Sequence, residues 1–110
     1  MSTLSVSFLW HMHQPNYRDP IRGYSSMPWV RLHATKAYRD MAELALKYPG
    51  MELTFNLVPS LLEQIEEYAA GTAEDYELML ARKAPSELTG EEKKAILSRF
   101  FQSNHETMIL

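Results

Sequence analysis

The sequence predicts an α/β fold built on a parallel sheet. Three observations carry that prediction: period-two alternation over residues 4–11, an amphipathic helical stretch from about Val30 to Lys47, and a second strand-like run from Met51 to Val58 that leads directly into further helices. The order strand, helix, strand, helix favours a right-handed crossover between parallel strands, with helices covering the sheet. Two strands can neither close a barrel nor form an adequate doubly wound sheet. The chain therefore reads as the amino-terminal part of a larger unit. Residues 91–110 read the same way, as a helix and a link that stops at Met108-Ile109-Leu110 without a closing element.

In the first strand Leu4, Val6, Phe8 and Trp10 alternate with Ser5, Ser7, Leu9 and His11, and the alternation continues to His13. Pro15 disfavours a helical conformation at Gln14 and keeps the end of the strand extended. The connection over residues 14–29 is too long for a simple turn, and a loop of that length usually binds something. Its aromatic residues Tyr17, Tyr24 and Trp29 argue against disorder. In the helix that follows, Leu32, Ala37, Met41, Leu44 and Ala45 form the expected apolar stripe, and Pro49-Gly50 stops it. The second strand sets Leu53, Phe55 and Leu57 on one side and Thr54, Asn56 and Val58 on the other.

Ser60 and Glu63 have the spacing of a capping box. They predict a helix over residues 61–70 that carries Leu61, Leu62, Ile65 and Tyr68 and ends at Gly71. A fourth helix is expected over 73–82, before Pro85. Thr89 and Glu92 repeat the capping-box spacing and open a fifth, with Ile96, Leu97, Phe100 and Phe101 as its apolar side.

The chain has 110 residues, a formal charge of −3 and no cysteine. That charge gives no reason to expect a nucleic-acid partner, and disulfides and thiolate metal sites are excluded. The sequence contains neither a secretory leader nor a stretch able to span a membrane, so a soluble, cytoplasmic protein without a membrane partner is the expectation.

The chemistry concentrates at the end of the first strand. Side chains two apart share a face, so His11 and His13 point the same way, next to the Gln14 amide. This spacing fits three readings: a metal pair, satisfied structural histidines, or hydroxyl recognition by neutral imidazoles that donate from one nitrogen and accept at the other. A metal would need a third ligand. Asp19 is the nearby candidate, whereas His33 is offset by a helix and lies away from the site. Trp29 either stacks on the apolar face of a sugar or closes the loop together with Pro28. Asn56 either joins the histidines at one end of a parallel pair of strands or caps the following turn. Arg18, Arg22 and Arg31 are too dispersed to cradle a phosphate. Glu63, Glu66, Glu67, Glu91 and Glu92 read as caps or solvated faces rather than as a catalytic carboxylate pair. No glycine-rich phosphate loop, Ser–His signature or cysteine nucleophile is present.

Three segments, in order, resemble glycoside hydrolase family 57. They are His11-Met12-His13-Gln14-Pro15, the run Met27-Pro28-Trp29-Val30-Arg31-Leu32-His33-Ala34-Thr35-Lys36-Ala37-Tyr38-Arg39-Asp40-Met41, and Thr54-Phe55-Asn56-Leu57-Val58-Pro59-Ser60-Leu61-Leu62; Phe100-Phe101 and Met108-Ile109 fit the same pattern. The resemblance covers nearly the whole chain. It implies the amino-terminal portion, over residues 1–110, of an incomplete (β/α)7 barrel that hydrolyses or transfers α-glucosidic linkages with retention. By this resemblance His11 and His13 line the subsite of the reacting sugar; Gln14, Trp29 and Asn56, from the reading of the residues above, complete the expected substrate-binding set. The nucleophilic glutamate and the acid/base aspartate of the family belong to segments beyond Leu110, so no catalytic residue falls in this stretch. The partners implied are an α-glucan or oligosaccharide and the remainder of the catalytic domain, with no cofactor and no metal. Amylase, pullulanase, branching enzyme and 4-α-glucanotransferase all remain open. A carbohydrate-binding protein without acid–base machinery and a metal-dependent polysaccharide deacetylase are the alternatives.

Overall fold

The computed structural model describes residues 3–103 and 105–108. Two parallel strands, β1 (Leu9–Met12) and β2 (Thr54–Leu57), pair in the register Leu9–Thr54, Trp10–Phe55, His11–Asn56 and Met12–Leu57. The ladder is extended at its ends by Thr54 N–H to the Phe8 carbonyl (3.2 Å) and Val58 N–H to the Met12 carbonyl (3.3 Å). The parallel arrangement agrees with the expected crossover. Both strands are shorter than their alternating runs. Residues 4–8 lie outside β1, and Leu4, Val6 and Phe8 are exposed. A ladder reaches only as far as its partner, and alternation alone supplies no backbone partner where β2 has not yet begun.

The connecting helix begins one residue earlier than expected and contains an irregularity. It runs as α1 (Trp29–His33), a π-helical turn over Ala34–Tyr38, and α2 (Arg39–Lys47), with right-handed helical dihedrals at both junctions. The π turn shifts the phase of everything after it, and the expected stripe changes accordingly. Leu32 and Leu44 are exposed, while Val30 is buried and Tyr38 and Met41 pack against the core.

Helix α3 (Pro59–Ala69) starts with proline in its first turn, where the missing N–H costs nothing. The Ser60–Glu63 capping box does not form: Val58 is the N-cap residue without a side-chain cap, and Ser60 Oγ donates instead to the Gln14 carbonyl at 2.9 Å. A tertiary acceptor has taken the hydroxyl that the local spacing assigned to the cap. Gly71, at φ 73°, follows the helix in the left-handed conformation that favours glycine there. Helix α4 (Tyr76–Arg82) starts later than expected because Asp75 caps it, accepting from Leu78 N–H at 2.8 Å. The Thr89–Glu92 box is present in both directions and opens α5 (Gly90–Arg99). A short α6 (His105–Met108) follows where the sequence suggests only a link, and Ile109 and Leu110 lie outside the described residues. Phe100 and Phe101 remain substantially exposed rather than forming an apolar side.

The core sits between the inner face of the sheet and the helices. Met12, Val30 and Leu61 are buried at its centre, surrounded by Tyr17, Tyr38, Met41, Phe55, Val58, Ile65 and Tyr68. Among the described residues, no helix is long and apolar enough to cross a membrane.

Candidate functional site

Strand pleating separates the core from the candidate site. Trp10 and Met12 face inward; Met12 is buried, and Trp10 meets the Phe55 ring edge-on at 5.3 Å. His11 and His13 take the other face, their rings stacked at 5.7 Å with planes 11° apart. Parallel register sets Asn56 directly across from His11, and residues paired in this way project to the same side. All three side chains are exposed. The sheet thus gathers two imidazoles and an amide at its carboxyl end. The N-cap residue of α3 is Val58, and it gives no side-chain cap.

The segment after β1 is held in place from behind. Gln14 Nε2 donates to Tyr38 Oη at 3.0 Å, and Tyr17 Oη donates to Gln14 Oε1 at 2.9 Å. Tyr38 Oη also reaches the His13 carbonyl at 3.4 Å. Gln64, buried in α3, accepts from Tyr17 N–H at 3.0 Å and donates to the Pro15 carbonyl at 3.0 Å. Both ends of the Gln14 amide are therefore engaged within the protein, leaving one N–H and one lone pair for a ligand. Sequence reasoning missed Tyr38, Gln64 and the tertiary role of Ser60. For Gln64 a signal was present: it stands three after Leu61 and one before Ile65, on the face that the apolar spacing buries. Replacing Gln64 with leucine should destabilise the protein by about 1–3 kcal/mol, because Tyr17 N–H and the Pro15 carbonyl both lose their partner. Urea denaturation of the variant against the wild type measures this.

Trp29 lies elsewhere. It is half-buried at the start of α1 and lines a cleft of about 300 Å³ with Leu32, Leu78 and Phe100, bordered by Glu77 and Arg99. Arg99 Nε donates to Glu77 Oε1 at 2.6 Å, while the buried Oε2 has no hydrogen-bond partner among the described residues. His11, His13, Gln14 and Asn56 do not line this cleft. The link between the two regions is a row of rings, with Trp29 6.4 Å from His33 and His33 5.8 Å from Tyr38. His33 thus touches the support of the histidine pair, though it is not part of the pair.

The arginines are committed to carboxylates. Arg18 pairs with Glu67 at 2.7 Å, Arg22 with Asp19 at 3.6 Å, and Arg31 with Asp75 at 2.6 Å. Burial acts to raise the Asp75 pKa, but hydrogen bonds from Arg31, Leu78 N–H and Tyr68 outweigh it and hold the carboxyl below its ordinary value. Burial is also the main cause that pushes the Tyr68 hydroxyl up to about 12, so it remains a donor to Asp75. Asp19, the candidate third metal ligand, is occupied by its own turn, accepting from Ile21 N–H at 2.9 Å and Arg22 N–H at 3.1 Å. Among the described residues, no group of three or more His, Asp or Glu side chains is placed to hold a metal ion.

A parallel βαβ unit that collects polar side chains at the carboxyl ends of its strands has the arrangement in which α/β proteins place ligand-binding or catalytic sites. The family is established by sequence. The chain belongs to glycosyl hydrolase family 57, whose family model matches residues 7–107. This family comprises glycoside hydrolases and transferases acting on α-glucans, and its fold is of the (β/α)7 barrel type. No curated protein and no solved structure matched the chain.

Proposed function

We propose that residues 1–110 form the amino-terminal portion of a cytoplasmic catalytic barrel that hydrolyses or transfers α-glucosidic linkages with retention. The observation that supports this most directly is the exposed cluster of His11, His13 and Asn56 on one face at the carboxyl end of a parallel strand pair. Two imidazoles and a primary amide offer several hydrogen-bonding groups on one face, which suits the hydroxyls of a sugar. Trp29 provides a flat apolar surface for a further sugar unit, with the Glu77 carboxylate at the border of its cleft. Gln14 contributes its remaining N–H or acts mainly by holding the segment in place.

The reaction in this reading is a double displacement. A glutamate attacks the anomeric carbon while an aspartic acid protonates the departing oxygen; water or a glucan hydroxyl then resolves the glycosyl–enzyme ester. Both carboxyl groups are assigned to segments beyond Leu110. His11, His13 and Asn56 orient hydroxyls of the reacting sugar, and contacts that tighten as the ring flattens accelerate the chemical step. The exposed apolar residues Phe8, Leu9 and Leu57 along the small sheet suit a strand and helices supplied by the rest of the barrel.

The test is a proton NMR time course of the protein carrying this chain, incubated with amylose. New reducing ends that appear first as the α-anomer, or chains that are lengthened or branched, are the expected result. Binding of amylose without any change in it would replace the enzyme by a carbohydrate-binding protein. Release of acetate from an acetylated polysaccharide would favour the deacetylase.

A further inference from the structure

The helix joining the two strands carries Trp29, His33 and Tyr38 in a row, at spacings of four and then five residues. In an uninterrupted α-helix a residue five positions on is rotated about 140° around the axis and would leave the row. The π-helical turn over Ala34–Tyr38 reduces that offset, because its wider turn brings the fifth residue back towards the same side. Tyr38 is thereby directed at the end of β1. Its ring packs on the core beside Met12 and Val30, and its hydroxyl is hydrogen-bonded to the segment that carries the candidate site: it accepts from Gln14 Nε2 at 3.0 Å and donates to the His13 carbonyl at 3.4 Å.

We propose that Tyr38 is a positioning residue for the sugar-binding site, its hydroxyl fixing the His13 backbone and the Gln14 amide so that the His13 imidazole meets the reacting sugar in one orientation. This inference rests on the α-glucan reading of the site. The ring accounts for the packing, and phenylalanine would preserve it. The residue is half-buried and the hydroxyl's bond to the His13 carbonyl is exposed, so water can replace a lost partner and its removal has little effect on folding. What changes is the freedom of His13. Small displacements of a group that orients substrate lower the rate far more than they lower stability.

The experiment is steady-state kinetics on amylose with the complete protein, using Tyr38→Phe, His13→Ala and the double variant. Tyr38→Phe is expected to lower kcat about tenfold with KM changed by less than about twofold and the thermal midpoint nearly unchanged. In the His13→Ala background the same substitution should have little further effect, because its route runs through His13. Gln14→Met removes the same hydrogen bond from its other end and gives a second reading if Tyr38→Phe folds poorly. Wild-type kcat in Tyr38→Phe and Gln14→Met, alongside a crippled His13→Ala, would overturn this inference and leave the α-glucan reading standing. Losses that multiply in the double variant would also overturn it. If His13→Ala itself turned over amylose normally, the reading of the site would fail, and this inference with it.

Discussion

Replacing Asp75 with alanine is expected to destabilise the protein by about 3–5 kcal/mol, the range for removing one partner of a buried ion pair. The carboxylate is fully buried and every acceptor direction is used: Arg31 donates through Nε at 2.6 Å and a terminal nitrogen at 3.0 Å, Tyr68 Oη at 3.1 Å and Leu78 N–H at 2.8 Å. These donors come from α1, α3 and α4, so a single side chain joins the crossover helix to the helices that follow β2. Alanine would leave a guanidinium, a phenol and a helix N-terminus without their acceptor at once. Asparagine keeps the cap and the shape and should lose less. The pH dependence has a definite sign. The folded pKa of Asp75 is depressed, so its contribution is complete above the ordinary carboxyl pKa of about 3.9 and is lost as pH falls through the lower folded value. Urea denaturation repeated from neutral to acid pH should show a steeper acid limb in the wild type than in Asp75→Asn. A loss below about 1 kcal/mol in Asp75→Ala, the level of an exposed pair, would mean that the cluster is not the junction described.

The features legible in the sequence are those set by local physics. Thr89 and Glu92 specify their box within one turn, and Gly71 stops α3 through its own backbone freedom. Period-two alternation placed His11 and His13 on one face, and the preference for a parallel crossover brought Asn56 alongside them. What failed had a distant cause. Ser60 matches a capping box, but its hydroxyl finds the Gln14 carbonyl, 46 residues away in sequence. Leu32 and Leu44 fit a regular 3.6-residue stripe and are nevertheless exposed; the π turn between them puts the residues after it, Leu44 included, out of phase with those before it. No pattern in the sequence marks that turn. Asp75 and Arg31 lie 44 residues apart, and nothing near either one announces the pair. Gln64 was readable in principle, as a polar residue at a position that helical spacing buries. Gln14 shows the opposite case: the motif identifies it as important, while the structure shows that much of its hydrogen-bonding capacity serves Tyr17 and Tyr38.

Replacing His13 with alanine in the complete protein should reduce turnover of an α-glucan by about one to two powers of ten, equivalent to roughly 1–3 kcal/mol for a lost hydrogen bond to the reacting sugar. The fold should survive the change. His13 lies just beyond the last residue of β1 and is exposed, so its side chain contributes no core packing, whereas its neighbour Met12 is buried. The backbone at this point is held by Pro15, Ser60 and Gln64, none of which depends on the imidazole. Stability and turnover should therefore separate, with an unchanged circular dichroism spectrum and melting curve beside a lowered kcat. His33→Ala is the informative comparison. Its ring also belongs to an exposed residue, but it contacts Trp29 and Tyr38 on the crossover helix and not His11 or Asn56. Its removal should loosen the support of Tyr38 and cost less than the loss of His13, since an indirect displacement replaces a direct contact. Normal turnover in His13→Ala, together with a large loss in His33→Ala, would move the working end of this unit from the sheet to the helix.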